Sequence, residues 1–426
     1  MKHDYPHDLL RYLQRRWPNK ETLPPEEVLL ELLSTCYQVS LLREEGRNIR
    51  LRLMLAEPED FERDRDALTA GLFTLPFTEP RPFNQYEMLK LGPSVDHTNT
   101  MLGIRHRQDE GLQIWGLVHT GSRWIQVFQG GSKRGIPLPP AFGINVVAPG
   151  GLGISHGLDI IGLLVGGRII SPSLGVFRSR WMTTRFAAAL ARLANLHAAE
   201  EDIGLWAKID PAFIGKLYLE FIKHVISTIR ESRHGGTILS FPAEMSPVLC
   251  GNNPFISLKY SFVASDARFR LRGLFLEIMR VLATVCGQRH GPEYIAGWDD
   301  YVSLQDKRLK QLDNQVFKYA RFAARLSGVD GAVITTDAPE LVGFGGIIQG
   351  SYEIGEYIAH AFDPEGKNRL IERVESVGTR HRSVYYLAKK IPSALGVVVS
   401  QDARTRVITW GGDTVLCWDV IPIDFT

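Results

Sequence analysis

The chain has 426 residues, 44% of them hydrophobic, with 49 Lys+Arg against 47 Asp+Glu for a net charge of +2. That length accommodates two or three domains, and the apolar fraction suits a folded chain rather than a disordered one. Near-neutral charge without a basic stripe argues against a nucleic-acid scaffold, so any basic site must be local. Cys36, Cys250, Cys286 and Cys417 stand far apart with no metal-ligand spacing and read as reduced thiols. The N-terminus lacks the apolar core of a signal peptide. The longest apolar candidate, Ile160–Ile170, is too short to cross a membrane and is broken by Gly162, Gly166, Gly167 and Arg168. No membrane partner and a cytoplasmic location are therefore expected.

Leu9–Trp17 predicts a short helix. Pro24-Pro25-Glu26-Glu27 opens a stronger one: Pro and acidic residues suit a helix start, and Val28, Leu29, Leu32, Leu33 and Cys36 share a face. A strand is expected at Ile49–Leu55, then an acidic, solvated segment from Glu57 to Asp66. From Ala67 to Ser173 the pattern turns to short strands and glycine-rich turns. Residues 111–118 and 124–128 predict a hairpin around Thr120-Gly121-Ser122, and Gly143–Val147 and Leu158–Leu164 continue the β character. Gly150-Gly151-Leu152-Gly153 lacks the Gly-Lys-Ser/Thr ending of a phosphate loop and reads as a turn. Arg105-His106-Arg107 reads as exposed charge before a strand.

Trp181–His197 predicts a helix with Phe186, Leu190 and Leu193 on one side, and His197 reads as a packed or surface residue rather than a ligand. Glu200-Glu201-Asp202 marks a solvated end. A domain boundary is placed after it, giving an α+β N-terminal domain at 1–205 and an α/β C-terminal domain at 206–426. Asp210 then caps a helix with Pro211 in its first turn and Phe213, Leu217, Phe221, Val225 and Ile229 on its apolar face. A strand follows at Thr237–Phe241. This pair weakly echoes Pro25–Leu42 followed by Ile49–Leu55, as a duplication would. Ile256–Val263 reads as extended, Phe269–Ala283 as a helix, and Gln288-Arg289-His290-Gly291 as a loop.

Two short stretches carry the chemistry. Gln315–Leu326 reads as a helix stopped by Gly328, after which Asp330 precedes a strand at Ala332–Thr336 and a turn leads to a second strand, Leu341–Ile348, containing Gly345-Gly346. This puts a carboxylate at a strand edge beside a glycine pair that lets a ligand approach the backbone. Near phosphate-binding cations, such a carboxylate serves as metal ligand, base or hydroxyl-orienting group. Later, Gly378-Thr379-Arg380-His381-Arg382-Ser383 opens a helix whose Val384, Leu387, Ala388 and Ile391 form an apolar stripe, with Thr379 suited to the N-cap. Unpaired N–H groups and forked guanidinium donors at a helix start suit phosphate. On a regular helix Arg380 and Arg382 project roughly 200° apart. They serve one phosphate only if the turn is irregular and otherwise address two sites. Taken alone, the stretch reads equally well as a merely basic helix start.

Together the two motifs resemble those of the diadenylate cyclases, which join two ATP molecules into cyclic di-AMP. That family carries Asp-Gly-Ala on a strand and Gly-Thr-Arg-His-Arg opening a helix, in this order. The strands Leu395–Ser400 and Thr405–Trp410, and the run Ile229–Ser240, also match, so the resemblance covers roughly residues 210–426. It implies an α/β domain with a central mixed sheet flanked by helices, and ATP as substrate. Asp330 would orient or deprotonate the attacking 3′-hydroxyl, and Arg380, His381 and Arg382 would act on the phosphates with Gly378, Thr379 and Ser383. Gly331 and Ala332 would let the nucleotide lie close, Gly345, Gly346 and Ile347 would flank the base, and Ser400 would offer a hydroxyl to the triphosphate. It also implies Mg²⁺ or Mn²⁺, with Asp330 and Asp402 as candidate ligands. Many members place a histidine before the aspartate and two glutamates after the serine, where this chain has Val329, Gln401 and Asp402. Two opposed attacks call for two nucleotides related by a two-fold axis, hence face-to-face self-association. The N-terminal half then reads as a sensory or regulatory domain. The competing reading, from a different class, is a non-catalytic sensor of ATP or cyclic di-AMP. The intact Asp330 beside the full basic motif favours the enzyme.

Overall fold

The computed structural model describes residues 3–61, 72–95, 99–120, 138–157, 159–170, 176–199, 206–232, 234–350, 357–401 and 404–420. The chain divides into two compact units, the first essentially residues 1–128 and 135–174, the second mainly residues 175–423. The division falls earlier than the expected 205/206 boundary because the helix at Arg180–Ala198 packs with the second unit, where Met182, Phe186 and Leu193 join its core.

In the first unit, α1 (Pro6–Arg16) and α2 (Glu26–Ser40) cover one face of an eight-stranded sheet. Its strands are β1 (Leu51–Leu55), β2 (Phe73–Pro82), β3 (Thr100–Arg107), β4 (Gly111–His119), β5 (Phe142–Ala148), β6 (Gly151–His156), β7 (Asp159–Val165) and β8 (Arg168–Ile170), in spatial order β8-β7-β6-β5-β1-β3-β4-β2. Leu29, Leu32, Leu33 and Cys36 of α2 meet Leu51, Leu53, Ile144 and Val146 in a dry core. Arg105-His106-Arg107 ends β3 and precedes β4 as expected, with His106 and Arg107 exposed and Arg107 opposite Gly111 across the hairpin. Two expectations are corrected here. The hairpin partner of Gly111–His119 within the described residues is β3, and the predicted strand at 124–128 lies outside them. Gly150, at φ 68°, makes the expected turn, but Gly151-Leu152-Gly153 are the first residues of β6.

In the second unit, α3 (Arg180–Ala198), α4 (Pro211–Glu231), α5 (Arg270–His290) and α6 (Lys307–Leu326) contribute to the core on one face of a nine-stranded mixed sheet. Its strands are β9 (Gly236–Phe241), β10 (Ile256–Ser261), β11 (Ala332–Thr336), β12 (Leu341–Ile348), β13 (Tyr357–Ala361), β14 (Arg369–Arg373), β15 (Leu395–Val399), β16 (Thr405–Trp410) and β17 (Val415–Val420). They lie in the order β10-β12-β11-β9-β15-β16-β17-β13-β14. The strand pleat sorts the two cores: Leu395, Val397 and Val399 pack toward the four helices, whereas Val398 packs toward α7 (Thr379–Lys390) on the other face. Helix α5 runs on to His290 and is stopped by Gly291 at φ 90°, so the predicted loop at Gln288–His290 is its last turn. His197 is buried and stacks on Trp206, centroids 4.9 Å apart.

The two sheets share a topology. Reading β7-β6-β5-β1-β3-β4-β2 against β17-β16-β15-β9-β11-β12-β10, the spatial order, chain order and sense of every pairing agree, down to the one parallel pair, β1 with β3 and β9 with β11. In each unit a long helix immediately before the central strand covers one face of the sheet. The helix-then-strand echo in the sequence is thus the start of a longer structural repeat.

Candidate functional site

One edge of the second sheet gathers most of the sequence-predicted site. Thr237 of β9 is paired with Ala332 on one side and Val398 on the other, and Ala332 is paired with Gly346. Gly346, Ala332, Thr237 and Val398 therefore form a row across four strands, with Asp330-Gly331 and Ser400 lying just beyond its edge. At about 4.8 Å per strand, the backbones of Ala332 and Val398 are roughly 10 Å apart.

Gly331, at φ 113°, lies so close to β12 that a Cβ there would fall 2.6 Å from the Gly345 carbonyl carbon. Gly345, at φ 68°, is itself backed by Lys259 and Tyr260. Both positions need glycine, and together they hold the Asp330 backbone against the glycine pair, leaving the Asp330 side chain exposed. Gly331→Ala is accordingly expected to cost about 1–3 kcal/mol in backbone strain and contact. A thermal melt checks this, and an unchanged midpoint would show that the close approach is not needed.

Helix α7 brings the cations. Its N-cap is Gly378, not Thr379, and no side chain caps it. The helix begins one residue earlier than the threonine reading supposes, so Thr379 stands in the first turn, where its hydroxyl oxygen lies 3.4 Å from Arg382 Nη2. The N–H groups of His381 and Arg382 both reach the Gly378 carbonyl. Arg380 leans the other way: its Nη1 lies 3.5 Å from the Val399 carbonyl oxygen and against Gly235, at φ 66°, where any Cβ would collide with it. Arg380 thus reaches the Ser400 end of the edge, and Arg382 does not share its partner, as a regular helix dictates. Ser383 donates its hydroxyl to the Thr379 carbonyl (2.9 Å), and Ser400 donates its own to the Arg404 carbonyl (3.0 Å). His381 is half-buried, its ring 6.4 Å from that of Tyr385. Val384, Leu387 and Ala388 are buried, and burial pushes the Tyr385 hydroxyl well above the usual tyrosine range while it accepts from Arg406 Nη1 at 3.0 Å. Farther along, Tyr386 lies against Gly350, just past the end of β12. The helix is therefore anchored at both Ser400 and the Gly345–Gly350 arm.

Several neighbours escaped the sequence reading. Gly235 is legible only once β9 and β15 are paired. Tyr260 stacks on Phe344 at 4.8 Å and touches the Gly345 position. Alternating residues in Ile256–Val263 hinted at a strand, but not at its pairing with β12.

Residues 18–119 match a family model described as "Probable sensor domain DACNV". The match lies within the first unit. No curated protein matches the chain. Among the described residues no helix is long and apolar enough to cross a membrane.

The shared topology sharpens the contrast between the units. Leu53 pairs with Leu102 and Thr237 with Ala332, so aligning the first residues of the central strands, Leu51 and Gly236, puts Asn99 where Asp330 stands. The Asn99 backbone carbonyl accepts from Thr120 through both N–H (2.7 Å) and hydroxyl (2.9 Å). At this position the first unit has an asparagine whose side-chain oxygen is buried, the second an exposed aspartate.

As a metal site, the edge supplies Asp330, while Asp402 lies outside the described residues. Among the described residues no group of three or more His, Cys, Asp or Glu is placed to hold a metal ion. One exposed carboxylate fits a Mg²⁺ or Mn²⁺ held jointly with substrate phosphates rather than by a protein cage.

Proposed function

We propose that the second unit is a diadenylate cyclase that condenses two ATP into cyclic di-AMP and two pyrophosphates, and that the first unit regulates it as a sensor. The observation carrying this reading is the convergence of Asp330, the Gly345-Gly346 pair and the arginine-bearing start of α7 on one sheet edge. The sensor match in the first unit, and Asn99 in place of a carboxylate there, support a division of labour between a catalytic and a regulatory unit.

The chemistry follows from the parts. Each 3′-hydroxyl attacks the α-phosphorus of the other ATP, forming a P–O bond as the bond to pyrophosphate breaks. Asp330 accepts the hydroxyl proton or aligns the oxygen for attack. Arg380, with the Thr379 and Arg380 N–H groups at the start of α7, takes the phosphate charge, while Arg382 and His381 add to the positive field. The base lies along Gly345, Gly346 and Ile347, with Tyr260 against the Gly345 position. When bound, Mg²⁺ or Mn²⁺ neutralises the triphosphate and favours departure of pyrophosphate. Most of the acceleration is positioning and charge neutralisation, as in other phosphoryl transfers.

Incubating the full chain with ATP and Mg²⁺ or Mn²⁺, with mass detection of cyclic di-AMP and pyrophosphate, tests the reading. Binding of ATP with no turnover under either metal would instead establish the sensor alternative. Arg380→Ala should weaken ATP binding by about 1.5–3 kcal/mol through lost charge-assisted contacts, which is roughly a tenfold to hundredfold rise in Kd. Calorimetric titration of ATP measures it, and an unchanged Kd would remove Arg380 from the site.

A further inference from the structure

At the opposite ends of β9 and β11 from the Asp330 edge, the second unit carries a half-open pocket of about 600 Å³. That volume is in the range of pockets that bury a drug-sized ligand. Leu193 and Leu196 of α3, Phe269, Phe275 and Pro339 supply apolar walls. The charged lining is one-sided: Arg192, Arg268 and Arg272 face a single acid, Glu340. Glu340 is already engaged. Its side chain and that of Arg268 are 6% and 5% exposed, with Arg268 Nε 3.1 Å from Glu340 Oε1. Ser246 ties the pair together, accepting from Arg268 Nη2 (3.0 Å) and donating to Glu340 Oε1 (3.0 Å). Arg272 is held over the Phe269 ring at 4.1 Å. Burial pushes the half-buried Asp337 carboxyl up, and the charges of Arg185 and Arg192 pull it the other way.

We propose that this cavity is a binding site for a small amphipathic anion, an apolar body bearing one carboxylate or sulfonate. The apolar body fills the space between α3 and α5, and the acid group lies between Arg192 and Arg272. The Arg268–Glu340 pair is the fixed wall, because both side chains are buried and already committed to each other and to Ser246. The ligand would bear on the loops that leave β9 at Pro242-Ala243 and β11 at Asp337–Glu340. The other ends of these strands form the row at Thr237 and Ala332. The proposal does not depend on cyclase activity, since binding is read directly.

The test uses the full chain and 8-anilinonaphthalene-1-sulfonate, an aromatic sulfonate, with the uncharged N-phenyl-1-naphthylamine as comparison. Saturable fluorescence with one sulfonate per chain is expected, with at least tenfold weaker binding of the neutral analogue. The Arg192→Ala/Arg272→Ala double variant should lose about tenfold for the sulfonate and little for the neutral probe. Leu193→Trp, which fills the cavity, should remove both. Cys250 lines the cavity and is exposed, whereas Cys36, Cys286 and Cys417 are buried, so bound probe should slow maleimide labelling of Cys250. If Leu193→Trp does not fold, the arginine variant and Cys250 protection still decide. Sulfonate binding indifferent to the arginines, or Cys250 labelled at the same rate with and without probe, overturns the proposal.

Discussion

Asp330→Asn is expected to abolish cyclic di-AMP formation while leaving ATP binding close to wild type. The side chain stands exposed at the lip of β11, held there by the Gly331–Gly345 approach, where an attacking hydroxyl can reach it. Asparagine keeps the size and one hydrogen-bonding oxygen but neither accepts a proton nor carries charge. A positioned general base contributes about 10²–10⁴ in rate, so turnover should fall at least a hundredfold. The loss should fall on kcat, because in the proposed function the phosphates are held elsewhere, at Arg380 and the start of α7. Product detected by mass, together with ATP affinity by titration, separates the two quantities. A variant that turns over at the wild-type rate would strip the carboxylate of any catalytic role. One that loses binding instead would make it a ligand-holding group.

The site's pieces were legible in the sequence because each is local. Asp330-Gly331-Ala332 sits between a helix and a strand, and Gly378–Ser383 opens an amphipathic helix, so periodicity and turn residues place both. Their meeting is not local: it depends on β9 lying between β11 and β15, a pairing no single stretch encodes. The start of α6 was missed for a different reason. Residues 307–314 look solvated, but Asp306 caps the helix through the Arg308 and Leu309 N–H groups. Asp313 then takes a core position by accepting a hydrogen bond from the Tyr301 hydroxyl. A buried aspartate breaks the apolar pattern that a sequence reader follows. β14, the last strand of the sheet, carries Arg369, Glu372 and Arg373, polar residues of the kind that protect an open edge. β2 contains Pro76, Pro80 and Pro82, a pattern tolerated at the edge where it lies and read as turns in isolation. The duplication was the faintest signal of all, because the two sheets share pairing rather than residues.

Activity is expected to depend on self-association, and dilution should reveal it. One edge of one sheet presents one Asp330 and one basic helix start, enough for one ATP. The second nucleotide must arrive with its 3′-hydroxyl aimed at the first α-phosphate and its own α-phosphate exposed in return, an arrangement with two-fold symmetry. An isologous pairing of two such edges supplies it without any further residue. That Arg380 turns to the Val399 carbonyl while Arg382 turns elsewhere leaves Arg382 available to the partner's nucleotide. Below the dimer dissociation constant, specific activity should fall nearly in proportion to protein concentration, roughly tenfold per decade by mass action. Mixing wild type with Asp330→Asn adds a sharper test. A mixed dimer retains one activated hydroxyl, so it forms a single 3′–5′ linkage and should accumulate the linear dinucleotide that still carries one triphosphate. Light scattering and activity per milligram, followed across the same dilution series, make the comparison. Constant specific activity from a strictly monomeric chain would rule out the face-to-face arrangement.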